Sequence, residues 1–162
     1  MKPTRYPLDA LIEMRSEELD RAQESFSSAL EATNRARMGV EAARKGVQAV
    51  QRSIQELEEK FRSAASQKAV AAGFLESFPA RRGLLDNRLA KARAALGEAQ
   101  RLLTRAQDQE EAARAALAEA RKELEVVERH KEKWKQTRRA KRLAAEDELA
   151  EELAARRGPQ PR

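Results

Sequence analysis

The chain has no cysteine, one tryptophan, one tyrosine and four phenylalanines among its 162 residues. Without cysteine there is no disulfide framework and no thiolate metal site, a composition at ease in a reducing cytoplasm. Aromatic residues make up 4% of the sequence and charged ones 37%, so large side chains are too few to fill a three-dimensional core. No apolar run approaches the ~20 residues that span a bilayer, and the opening MKPTRYPLDAL lacks a signal-peptide core. A protein without membrane insertion, not exported by the general route, is expected. Breakers are scarce as well: between Pro7 and the tail Gly158-Pro159-Gln160-Pro161 the only proline is Pro79.

What is present is a repeat. From Leu8 to Ala64 a residue recurs every three, then four, positions: Leu8, Ile12, Arg15, Leu19, Ala22, Phe26, Ala29, Thr33, Ala36, Val40, Ala43, Val47, Val50, Ile54, Leu57, Phe61, Ala64. Only Arg15 and Thr33 break its apolar character. A spacing that averages ~3.5 residues keeps the seam on one face only if helices wrap left-handedly around a partner. A second series runs Leu85, Leu89, Ala92, Leu96, Ala99, Leu103, Ala106, Glu110, Ala113, Leu117, Ala120, Leu124, Val127, with Glu110 its one polar member.

The spacing predicts an all-α fold, a long two-helix antiparallel coiled-coil hairpin. Helices are expected over 7–73 and 83–156, a turn over 74–82, and a disordered tail over 158–162. Pro7 suits a first helical turn and Asp9 the positive end of the helix dipole. Gly39 and Gly46 fall off the seam, at a cost of about 1 kcal/mol each relative to Ala. Pro79 biases Phe78 away from helical geometry and places the turn there. Two helices of similar length with one short connection fold back on each other, each arm on the order of 100 Å long. The structural rival is a parallel homodimer of one continuous helix.

Catalytic chemistry is missing from the sequence. The single histidine, His130, lies in a basic run and reads as a solvated helix residue. There is no G-x-x-x-x-G-K-[ST] and no G-x-G. Carboxylates sit on exposed helix surfaces, without the cleft that acid–base catalysis needs. Neither an enzyme nor a cofactor is expected.

Two places break the monotony. Phe61, Phe74, Leu75 and Phe78 gather around the expected turn. These side chains either plug the end of the seam or form an apolar tip that docks on another protein. The other place is charged. Residues Arg129, Lys131, Lys133, Lys135, Arg138, Arg139, Lys141 and Arg142 face one acid, Glu132, and the acids Glu146, Asp147, Glu148, Glu151 and Glu152 follow directly. The net charge of +6 raises the question of nucleic acid. Few aromatic residues are available to stack bases, however, and the adjoining acidic block argues against it. The run reads either as a solvated face with snorkelling side chains or as an electropositive end for an acidic protein surface. Trp134 lies within it and keeps the heptad phase of Val127, after which Lys131, Arg138 and Lys141 hold positions that resist burial. Hairpin arithmetic lays this segment, with Leu143, Leu149 and Leu153, against the first ~20 residues.

Tyr6-Pro7-Leu8 followed by Leu11, Arg15 and Ala22, with Trp134, Arg138-Arg139 and Asp147-Glu148-Leu149-Ala150 at the other end, resembles the stalk proteins of type III secretion systems. These are the YscO-like proteins of injectisomes, similar in turn to the flagellar FliJ proteins. The Tyr-Pro-Leu opening leans toward the injectisome group. The resemblance implies a bacterial cytoplasmic component, peripheral at the inner-membrane secretion apparatus. It implies as partners the hexameric secretion ATPase, the cytoplasmic ring of the export gate and export chaperones. Carried onto this chain, Leu8, Leu11, Arg15, Trp134, Arg138 and Arg139 would sit in the ATPase ring. Phe61, Phe74, Leu75 and Phe78 would reach toward the gate. A homodimeric scaffold or tether without an ATPase partner, and a basic nucleic-acid-binding helical protein, are the alternatives.

Overall fold

Both heptad series become helix. In the computed structural model, which describes residues 5–66 and 72–156, the elements are α1 (Asp9–Ser66, 58 residues) and α2 (Ala72–Arg156, 85 residues). The fold is an all-α helical hairpin. Every position of the first series from Ile12 to Ala64 is half-buried or buried, and so is every position from Leu85 to Val127 in the second. The rest of each helix is largely exposed, as expected when two helices share one stripe.

The chain divides into two compact units, one of residues 1–24 and 115–162 and one of residues 25–114. Each contains a stretch of both helices. In the second unit, Thr33 meets Ala106, the Arg114 guanidinium lies 5.8 Å from the Phe26 ring centroid, and Arg82 pairs with Glu58. In the first unit, Arg15 meets Glu123 and Asp9 meets Lys131. The same antiparallel register holds in each: an advance along α1 is matched by an equal retreat along α2.

The two polar breaks in the α1 seam are satisfied differently. Thr33 has no exposed surface, and its Oγ1 lies 3.1 Å from both the Ala29 carbonyl and the Ala106 carbonyl of the facing helix. Arg15 reaches Glu18 at 2.6 Å and Glu123, across the seam, at 2.7 Å. On α2, Glu110 pairs with Arg114 at 3.3 Å. Each break thus has a partner for its polar group, so the seam tolerates it.

The sequence-based turn over 74–82 requires correction, because those residues belong to α2 with Pro79 inside the helix. Pro79 removes one intrahelical hydrogen bond, a cost of about 3 kcal/mol in a helix interior. Contacts on both sides of it offset that cost. The Phe61 and Phe78 ring centroids are 4.1 Å apart, and Arg82 bonds both Glu58 on α1 and Asp86 one turn on. Gly73 and Gly83 show no left-handed backbone, so neither acts as a turn residue. Helix α1 starts at Asp9 rather than at 7: Pro7 sits in the turn closed by the Asp9 N–H on the Tyr6 carbonyl at 3.2 Å. The expected tail over 158–162 lies outside the described residues.

Candidate functional site

The turn Tyr6-Pro7-Leu8 delivers one side chain against α2. Proline at the second turn position fixes the backbone, and the tyrosine before it is driven into the groove, where it is 4% exposed. Its hydroxyl is hydrogen-bonded to His130 Nδ1 at 2.5 Å, the tautomer of the imidazole setting which of the two donates. Its ring meets the edge of Trp134, with centroids 5.3 Å apart at 63°. The Arg138 guanidinium lies 5.0 Å from the Trp134 centroid and Lys131 Nζ 5.8 Å from that of Tyr6, each within cation–π range.

Below the aromatic pair lies a charged clamp. Lys131 Nζ stands 2.7 Å from Asp9 Oδ1, an atom with no solvent access, and Arg5 approaches the other oxygen at 3.5 Å. The hydrogen bond from Lys131 chiefly holds the Asp9 carboxyl below its ordinary value of 3.8, against partial desolvation, with the charges of Lys131 and Arg5 adding to it. Asp9 also occupies the first turn of α1, where the dipole favours an anion.

The site residues expected from sequence are partly brought together. Trp134 and Arg138 stand in the cluster around Tyr6, and Leu8 lies on the chain beside it, 40% exposed. Leu11 is half-buried, and Arg139 is exposed. Arg15 is engaged elsewhere, with Glu18 and Glu123. Its guanidinium is held charged beyond its ordinary range, first by the Glu18 hydrogen bond and then by the Glu123 charge.

Three members of the cluster do not stand out in the sequence: Tyr6 reads there only as part of a motif, His130 as a solvated helix residue and Lys131 as a seam position that resists burial. His130 is exposed but bonded, and Lys131 is half-buried because Asp9 compensates its charge. The readable signal was the heptad phase, which puts Lys131 and Trp134 on the face that meets the chain's start.

Hairpin arithmetic misplaced the segment that follows. The first residues of α1 face α2 at Glu123, Lys131 and Trp134, not farther on. Every residue from 135 to 156 is exposed, including Leu143 at 48%, Leu149 at 59% and Leu153 at 53%. The reason is the unequal helix lengths: α2 exceeds α1 by 27 residues, from 85 against 58, and the excess lies at its C-terminal end. A groove of about 570 Å³ runs along this exposed helix, walled by Trp134 and the cations Lys135, Arg138, Arg139, Lys141 and Arg142.

The second unit carries the other group of expected residues. Phe61 and Phe78 stack with their planes at 32°, and both are half-buried. Phe74 is half-buried beneath Arg81, whose guanidinium lies 5.9 Å from the ring centroid. The Leu75 side chain lies outside the described residues. Among the described residues no helix is long and apolar enough to cross a membrane, and no group of His, Asp and Glu is arranged to hold a metal ion.

The fold defines an all-α helical-hairpin protein in which an aromatic and basic cluster fixes Tyr6 against α2. Its sequence matches the model of the YscO-like proteins over residues 3–155, and the chain belongs to that family. Membership gives it a stalk-type role in type III secretion and favours the YscO-like group over FliJ. The fold is similar to that of CT670 from Chlamydia trachomatis, a proposed YscO homolog, with a TM-score of 0.82 and 17% identity over 94% of each chain. No curated protein matches the chain.

Proposed function

We propose that this chain is a non-enzymatic stalk of a type III secretion export apparatus that binds the hexameric secretion ATPase through its Tyr6–Trp134 end. The observation that carries the reading is the union of Trp134 and Arg138 with the buried Tyr6. It anchors the start of the chain against α2 and leaves Leu8, Arg138 and Arg139 exposed beside the anchor. An aromatic and arginine cluster rimmed by solvated charge is the composition of interface hot spots. Leu11 and Arg15 are the further residues of α1 in the proposed contact. The partner surface is acidic, because the groove along Trp134 is walled by cations.

Phe61, Phe74, Leu75 and Phe78 are the proposed contact with the cytoplasmic ring of the export gate, and export chaperones are further partners. The protein works in the bacterial cytoplasm, peripheral to the inner-membrane apparatus. Family membership supports these assignments. The test is the double charge reversal Arg138→Glu and Arg139→Glu. Both side chains are exposed, so folding is retained while ATPase stimulation and secretion fall. Full ATPase stimulation by the folded double variant would remove the ATPase contact from the proposal.

A further inference from the structure

Arg138 and Arg139 are neighbours in the proposed ATPase contact, yet the fold treats them differently. Arg138 holds its guanidinium 5.0 Å from the Trp134 centroid, whereas Arg139 is exposed. Neither has a carboxylate partner among the described residues, although Lys135 and Arg142 on the same stretch reach Glu132 and Glu146. The indole, not an acid, is what Arg138 leans on.

His130, Trp134 and Arg138 stand four residues apart on α2, so their side chains form one column along the helix. Tyr6 enters this column from the start of the chain. Its hydroxyl bonds His130 Nδ1 at 2.5 Å, and its ring meets the Trp134 ring with centroids 5.3 Å apart at 63°. Lys131 Nζ lies 5.8 Å from the Tyr6 centroid and 2.7 Å from Asp9 Oδ1, so one lysine ties the ring to the first turn of α1. Tyr6 is thus fixed from three directions. At 4% exposure it has almost no surface to offer another protein.

We infer that Tyr6 is a positioning residue for the proposed partner contact: through the Trp134 ring it holds the Arg138 guanidinium in place before the partner arrives. The inference rests on the reading that Arg138 meets the ATPase. An arginine on a bare helix samples many rotamers, and immobilising such a side chain costs ordering free energy on binding. A ring that settles the guanidinium in advance removes that cost, and the edge contact with Tyr6 keeps the indole itself from turning away. Arg139 receives no such support and contributes charge alone. The start of the chain thereby takes part in binding without touching the partner.

Binding of the full chain to the hexameric ATPase tests this in a double-mutant cycle. Tyr6 lies outside α1, and Arg15 still meets Glu123 at 2.7 Å beyond it, so Tyr6→Ala leaves the hairpin folded. This variant is expected to weaken binding about two- to twelvefold, the cost of ordering one long side chain. Tyr6→Ala/Arg138→Ala should bind no more weakly than Arg138→Ala, whereas combined with Arg139→Ala the two losses should multiply. Tyr6→Phe keeps the ring against Trp134 and should retain most of the affinity. A merely structural role would make the Tyr6 and Arg138 losses multiply too, and that result overturns the inference. Undiminished binding by Tyr6→Ala does the same. So does Tyr6→Phe binding as weakly as Tyr6→Ala, which would place the effect in the His130 bond.

A second measurement needs no partner, because Trp134 is the only tryptophan. In the chain alone its ring current shifts the Arg138 δ-methylene proton resonances upfield. Tyr6→Ala should return them toward ordinary arginine values while helical circular dichroism is unchanged. Shifts that persist in Tyr6→Ala overturn the inference, whatever the ATPase does. Unchanged ATPase binding by both Arg138→Ala and Arg139→Ala would instead remove the ATPase contact, and the proton shifts alone would then decide whether Tyr6 positions Arg138.

Discussion

Thr33 Oγ1 on α1 and the carbonyl oxygen of Ala106 on α2 are 3.1 Å apart in a place with no solvent access. The hydroxyl has one proton for two carbonyls, because Ala29 offers an acceptor at the same distance. Both carbonyls retain backbone donors in their own helices, so removing the hydroxyl orphans little. Thr33→Val is therefore expected to change unfolding free energy by about 1 kcal/mol or less. Thr33→Leu forces a larger side chain into a seam without space and is expected to cost about 1–3 kcal/mol. Urea denaturation measures both, and a Leu variant as stable as the parent would mean that the helices separate there at little cost.

The same position shows what the sequence disclosed. The three-four spacing located the seam correctly from Ile12 to Ala64 and from Leu85 to Val127, because one-dimensional periodicity maps directly onto one helix face. Thr33 kept its place in that phase despite its polarity, since one hydroxyl can be served by a local carbonyl. Local rules misled at Pro79: its preference for a break is worth a few kcal/mol, and the facing contacts of Phe78 and Arg82 outweigh it. At the Trp134 end, the aromatic residues and the charges were visible as residue types. Their pairing was not, because Tyr6 with His130 and Asp9 with Lys131 depend on a register that only the folded chain sets.

Gly39 and Gly46 lie in the interior of α1, and a Cβ built on either meets nothing within 4 Å. Neither has a left-handed backbone, so alanine fits both without strain. Gly39→Ala and Gly46→Ala should each stabilise the chain by about 0.5–1 kcal/mol, by narrowing the unfolded ensemble and raising helix propensity. The two sites are two turns apart and share no partner, so the effects should add within about 0.5 kcal/mol. Thermal melts of the single and double variants check this, and a lowered melting temperature would show that the glycines serve close approach by another surface.

The Asp9–Lys131 pair gives stability a defined acid dependence. The Asp9 carboxyl is held below its ordinary value in the folded chain, so across that window the unfolded chain binds more protons. The stabilisation is fully present above 3.8 and is lost as pH falls through the lower folded value. Lys131→Met removes the chief cause of the shift and should flatten this part of the stability-against-pH curve. Denaturant midpoints for parent and variant between neutral and strongly acidic pH provide the comparison. Equal acid slopes in the two proteins would mean that Arg5 and the helix dipole, rather than Lys131, hold the carboxylate ionised.

Phe61, Phe74 and Phe78 cluster in the sequence, and their geometry separates them into two kinds. Phe61 and Phe78 face each other across the seam with centroids 4.1 Å apart, so each covers the other. Truncating either to Ala should lower stability, by less than the about 3–5 kcal/mol of a fully buried ring because both are half-buried. In a double-mutant cycle the pair should show a coupling of about 0.5–1.5 kcal/mol beyond the burial lost. Phe74 has no aromatic partner among the described residues, only the Arg81 guanidinium 5.9 Å from its centroid. Its truncation should therefore cost less stability than that of either paired ring. If this region docks on the export gate, Phe74→Ala is the substitution that impairs secretion by more than its smaller loss of stability accounts for. Loss of secretion confined to Phe61→Ala and Phe78→Ala, in step with their lost stability, would instead assign all three rings to packing.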